Sequence, residues 1–209
     1  MHDNNFNMIR FVLVDVHGVL TTGDERRRFI SRMFRTHGMD REEHNRLWSE
    51  SLDGLDTGIK SPSEYVRGIN RRFGKRFSVK DYFGLFLLGI RVNKQLLEAL
   101  DRVRGAKVVI VSDTFTPISS GLPKLFGAGF GRYRKFYSNT VGMQKSGGML
   151  GYVPRALKAE PCECVLIDDN ASNVKAAVSC GMNGIAFGSN AQALSELRKM
   201  GVRLGPVYA

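Results

Sequence analysis

The chain has 209 residues, enough for one sizeable core or a core with a small insert. Its 43% hydrophobic and 24% charged content suits a globular protein, and no apolar run approaches the roughly 20 residues of a membrane-spanning helix, which excludes a membrane partner of that kind. The formal net charge of +11 fits anionic partners, yet the basic residues fall in short separate clusters (Arg26-Arg27-Arg28, Arg71-Arg72, Arg132 with Arg134-Lys135) outside any nucleic-acid motif, which argues for solvated basic faces and against nucleic acid.

Residues 1–7 are polar and carry no signal core, and His2 within them is expected to be disordered. The three cysteines, Cys162, Cys164 and Cys180, are odd in number without paired spacing, which points to a reducing, cytoplasmic compartment. Ile9 to Val14 is a short apolar run that predicts a buried parallel strand, with Asp15 at its carboxyl end and a turn at Gly18. From about 22 to 90 strand-like runs are missing and apolar residues recur at helical spacing, as in Phe29, Met33, Phe34 and again Tyr65, Ile69, Phe73. Ser61-Pro62-Ser63-Glu64 reads as a helix start and Gly74 as its stop. Trp48, Phe83 and Phe86 are expected in the core of this helical segment. His37 and His44, separated by a break at Gly38, are expected on its surface.

From about residue 91 helices and short apolar strands alternate, which predicts a parallel sheet with helices on both faces. Lys107 to Val111 forms one such strand, ending in the hydroxyl of Ser112 with Asp113 next. Gly142 to Gly151 reads as a glycine-rich loop containing Lys145. Cys164 to Ile167 forms another strand, ending in Asp168 and Asp169. Open α/β sheets place ligands at the carboxyl ends of their strands. Two adjacent acids there repel each other, and a bound cation is the natural remedy. A carboxylate nucleophile, a hard oxygen-liganded metal and two anion-binding groups suit phosphoryl transfer.

These stretches resemble the four motifs of the haloacid dehalogenase superfamily, most of whose members are magnesium-dependent phosphatases. Asp15-Val16-His17-Gly18 matches its first motif, Ser112 its second, Lys145 its third (with Lys158 as the alternative), and Asp168-Asp169 its fourth. Ile167 to Val174 and Leu55 to Tyr65 resemble one phosphatase branch. The resemblance implies a Rossmann-like, doubly wound α/β core from residues 1–21 and 91–209, with a small helical cap domain from 22–90. It implies that Asp15 forms an aspartyl-phosphate on a small phosphorylated substrate. Mg²⁺ would sit on Asp15, the His17 carbonyl and Asp169, with Asp168 in direct contact or just behind. Ser112 and Lys145 would hold phosphate oxygens, with Gly18 and Asp113 as further donors, and Asn173 would orient the acidic loop. The family's second motif aspartate, its acid–base group, is here His17. Three readings stay open: a phosphatase using His17, an impaired protein that binds a phosphorylated ligand or partner, and a 2-haloacid dehalogenase. The sequence sets no oligomeric state.

Overall fold

The computed structural model describes residues 8–205; the polar start at 1–7, with His2, lies outside them. Five parallel strands form the sheet: β1 (Phe11–Val14), β3 (Lys107–Ser112), β4 (Arg134–Tyr137), β5 (Cys164–Asp168) and β6 (Asn183–Ala186), in the order β4-β3-β1-β5-β6. A separate antiparallel pair joins β2 (Val103–Arg104) to β7 (Arg203–Leu204). β1 is central: Val14 lies opposite Ile110 on one side and Ile167 on the other. Its near-continuous apolar run follows from burial on both faces. Val12 and Val14 join a core with Leu96 and Leu100 of α5 (Lys94–Asp101), Leu122 of α6 (Ile118–Phe126) and Leu197 of α10 (Asn190–Lys199). Phe11 and Leu13 join a second core with Leu150 and Val153 of α8 (Leu150–Leu157) and Ala177 of α9 (Ala171–Ser179).

Four helices lie between β1 and α5: α1 (Glu25–His37), α2 (Arg41–Thr57), α3 (Pro62–Phe73) and α4 (Val79–Leu87). The chain leaves and re-enters the sheet layer at one neck, where Thr21 bridges Val92 and the Asn93 amide donates to the Leu20 carbonyl at 2.8 Å. The α3 start is as predicted: Ser61 and Glu64 form a reciprocal capping box, Pro62 occupies the first turn, and Gly74 closes the helix at φ 63°. α2 rests on α7 (Ser138–Val141) and α4 on α6. The latter contact is close: a Cβ at Gly121 would fall 2.4 Å from Leu87 Cδ1, so the Leu87 side chain would have to shift to admit one. Among the described residues no helix is long and apolar enough to cross a membrane.

Two expectations are corrected. His44 is not a surface residue; it is fully buried. Gly38 ends α1 in the left-handed conformation, so α2 starts a new face that turns His44 inward against Phe29 and Tyr82. His37 is half-buried, its ring 4.9 Å from that of Phe77. The Gly142–Gly151 stretch is not a loop throughout: an irregular turn over Lys145–Met149, left-handed at Gly148, runs into α8 at Leu150, with Lys145 and Met149 buried.

His44 Nε2 and the Tyr82 hydroxyl are 2.5 Å apart, and Nδ1 has no hydrogen-bond partner among the described residues. Burial, with the Arg26 charge nearby, pushes the His44 pKa down from 6.5 to about 4. The unfolded chain therefore takes up this proton before the folded one. The stability His44 contributes is complete above pH 6.5 and is lost as pH falls towards 4, by roughly 3 kcal/mol. Urea unfolding at pH 7 and pH 4.5 checks this. The His44→Gln variant is expected to lose much less stability between those two pH values than the native chain does.

Candidate active site

Parallel pairing brings the carboxyl ends of β1, β3 and β5 to one edge, and the Asp15 amide donates to the Ile167 carbonyl at 3.0 Å. A cavity of about 580 Å³ opens there beneath α1, α2 and α4. Of the residues singled out from the sequence, Asp15, His17, Gly18, Asp113, Lys145, Asp168, Asp169 and Asn173 line it.

Lys145 is the electrostatic centre. It is 3% exposed, with Nζ 3.0 Å from Asp15 Oδ1 and 2.6 Å from Asp168 Oδ2, and its amide donates to Asp113 Oδ1 at 2.8 Å. Burial alone would pull its pKa down; the charges of Asp15, Asp168 and Asp113 outweigh this and hold it above the ordinary lysine value. Lys158 is exposed at the left-handed end of α8 and lies outside the cavity. Asp168 also accepts from the Asn170 amide and from Asn173 Nδ2, which fixes its orientation. Asp15 Oδ1 accepts from the Val16 amide at 2.7 Å as well as meeting Lys145. That leaves Oδ2 as the oxygen free to act.

Asp15, Asp168 and Asp169 each offer an oxygen within 4.8 Å of the others. Burial, then the charges of Asp15 and Asp168, raise the Asp169 pKa. One lysine does not neutralise three carboxylates, and an all-oxygen donor set of this charge suits a hard divalent cation. Gly18 explains part of the arrangement. It sits at φ 85°, and a Cβ there would lie 2.0 Å from Asp169 Oδ2. Gly18→Ala is expected to displace Asp169 and weaken whatever affinity the acidic cluster has for a divalent cation by about 10- to 100-fold. Calorimetric titration with Mg²⁺ checks this, and an unchanged affinity would remove Asp169 from the cation site.

Ser112 departs from the expected cluster. It is buried at the end of β3, its Oγ has no hydrogen-bond partner among the described residues, and it does not line the cavity. Thr114, two residues on, does line it, with Oγ1 likewise unpartnered.

Sequence reasoning also missed three neighbours. Glu25, buried at the start of α1, accepts from Thr21 Oγ1 at 2.6 Å and lies 2.9 Å from His17 Nδ1. Burial lowers the His17 pKa, but the hydrogen bond and charge of Glu25, with the charge of Asp15, outweigh it and raise it overall. Asp56 of α2 faces the cavity with its pKa pushed up to about 7, by burial and then by the Asp113 charge. Arg26 of α1 reaches the same wall. A glutamate in a first turn reads as a helix-dipole partner and an aspartate within a helix as solvated, so the sequence carried no signal for the first two. Trp48, Phe83 and Phe86 are buried as predicted; Trp48 and Phe86 stack with ring centres 5.2 Å apart and also form the apolar cavity wall.

No family model matches the chain. Among curated proteins, flavin mononucleotide hydrolase 1 of Arabidopsis thaliana is 43% identical over 49 residues, which are 23% of this chain and 20% of that protein. Among solved structures, a HAD family enzyme of Bacteroides thetaiotaomicron, in complex with magnesium and inorganic phosphate, superimposes with a TM-score of 0.74 at 22% identity, covering 86% of this chain and 94% of that one. A predicted HAD-like family hydrolase of Porphyromonas gingivalis gives 0.72 at 21% identity, covering 92% and 98%. An L-2-haloacid dehalogenase gives 0.63 at 17% identity, covering 84% and 83%. With the five-stranded parallel sheet and its helices on both faces, these likenesses establish that the chain has the haloacid dehalogenase-like fold.

Proposed function

We propose that this protein is a magnesium-dependent phosphatase that acts on a small phosphorylated metabolite through an aspartyl-phosphate on Asp15. The observation that carries the reading is the convergence on one cavity of Asp15, with Oδ1 engaged and Oδ2 free, the buried Lys145 and the acidic cluster. The names of the curated relative, a flavin mononucleotide hydrolase, and of the Bacteroides enzyme, a complex with magnesium and phosphate, support it.

Asp15 Oδ2 attacks the phosphorus, and the bond to the leaving oxygen breaks. His17 donates the proton that oxygen needs. It then takes a proton from the water that attacks the aspartyl-phosphate, which returns Asp15 as a carboxylate and releases inorganic phosphate. Glu25 orients the imidazole through Nδ1. Lys145, with the hydroxyl of Thr114 and the amides near His17 and Gly18, balances the phosphoryl oxygens. Asp15, Asp169 and the His17 carbonyl, with Asp168 alongside, would hold magnesium, which offsets the repulsion between nucleophile and phosphate. Residues 22–90 act as a cap domain that limits water access and substrate size.

Hydrolysis of an aryl phosphate with magnesium or with chelator, by the native chain and by His17→Asp, tests this reading. Magnesium-dependent turnover by the native chain supports it. A silent native chain beside an active His17→Asp variant would replace it with a protein that binds a phosphorylated ligand. The L-2-haloacid dehalogenase likeness allows attack by Asp15 on carbon instead, but the clustered Asp168 and Asp169 weigh for the cation-dependent reaction.

A further inference from the structure

A second groove, of about 920 Å³, runs between α1 and the start of α2. Five arginines line it: Arg26, Arg27, Arg28, Arg35 and Arg41. Four of them belong to α1, and the turn at Gly38 folds α2 back so that its first residue, Arg41, joins them. Few acids answer them. Asp24 pairs with both Arg27 and Arg28, and Glu42 is the one carboxylate lining the groove. Arg26, Arg35 and Arg41 have no carboxylate partner among the described residues; Arg35 donates to Ser31 and Arg41 lies over the Phe34 ring at 4.4 Å.

The groove and the active-site cavity share two lining residues, Gly23 and Arg26. Arg26 is already ordered. Its Nη2 donates to Asn45 Oδ1 at 2.8 Å and to Ser49 Oγ at 2.5 Å, while Nε is buried without a partner. A guanidinium fixed through one nitrogen can offer another to an anion with little further loss of side-chain freedom. The arginine fork also matches phosphate geometry better than that of a lone carboxylate oxygen or a hydroxyl.

We infer that the substrate carries a second phosphate, distant from the one hydrolysed, and that the arginine groove of α1 and α2 holds it, with Arg26 at the junction of the two sites. This rests on the phosphatase reading and narrows its substrate to doubly phosphorylated compounds. The part between the two phosphates would cross the apolar wall at Trp48 and Phe86.

The test uses alkyl phosphates of rising chain length, each compared with its counterpart phosphorylated at both ends. Binding to Asp15→Asn in magnesium is followed by the fluorescence of Trp48, the single tryptophan of the chain. At one chain length or more the double phosphate is expected to bind about tenfold tighter than the single one. That ratio falls towards one in the double variant Arg35→Gln with Arg41→Gln, and falls as salt rises. Circular dichroism of the variant, whose two altered side chains are both exposed, checks that it is folded. Equal affinities at every length overturn the inference, as does a ratio undiminished in the double variant. Because the readout is binding, a native chain that fails to hydrolyse aryl phosphate sinks the phosphatase reading without touching the affinity ratio.

Discussion

Replacing Asp15 with asparagine is expected to lower magnesium-dependent turnover by about 10⁴-fold or more while leaving the fold intact. The carboxamide keeps the shape of the side chain and an oxygen to accept from the Val16 amide, so β1 and the turn at Gly18 are undisturbed. Lys145 retains Asp168 at 2.6 Å. The charge of Asp15 helps raise the pKa values of both Asp168 and Asp169, so its removal makes those two acids stronger rather than unsettling them. What the variant loses is the carboxylate, with Oδ2 as its nucleophile. Steady-state hydrolysis of an aryl phosphate, beside a thermal melt within a few degrees of the native one, checks both halves. A residual rate above a tenth of the native value would show that another group or a water attacks phosphorus directly.

Lys145→Met is expected to harm both activity and stability. The side chain is almost wholly enclosed, and its ammonium stands between Asp15 and Asp168. Methionine fills similar volume but leaves two buried carboxylates facing each other without a counter-charge, a change that costs about 3 to 5 kcal/mol. For a chain of this size that corresponds to a melting temperature lower by roughly 10 °C. Either Asp168 picks up a proton or a cation replaces the ammonium. Magnesium should therefore raise the melting temperature of the variant by more than it raises that of the native protein. Differential scanning calorimetry with and without magnesium measures this, with Lys158→Met as the exposed control. A variant as stable as the native protein in chelator would mean that Lys145 does not compensate the acidic cluster.

The sheet was legible in the sequence because its strands are covered on both faces. Phe11 to Val14, Val109 to Val111 and Cys164 to Ile167 are uniformly apolar for that reason, and each leaves its polar residues at one end. The α3 boundaries were legible because capping is local chemistry: Ser61, Pro62, Glu64 and Gly74 each act on their own turn. What was hidden arises from contacts between elements. His44 is drawn inside by aromatic rings of α1 and α4, which no spacing within α2 can announce. Lys145 sits among glycines that suggest mobility, yet its three acidic neighbours come from other segments. Glu25 meets His17 only because the chain turns back at Gly18 before entering α1. Arg41 joins the arginines of α1 only because α2 packs back beside that helix.

The central place of β1 also fixes when a site can exist at all. This strand is near the start of the chain, but its two neighbours are β3 and β5, and Arg10 beside it is bonded to Glu163, 153 residues later. Asp15 is thus synthesised early and meets Asp168 last. Until β5 emerges, β1 has an open edge and the acidic cluster has one member, so no fragment ending before β5 can assemble that cluster. Such non-local pairing makes folding slow and leaves an apolar strand exposed meanwhile. A chain halted before Cys164 would lack two of the three clustered carboxylates and keep an unpaired, aggregation-prone edge at the middle of its sheet.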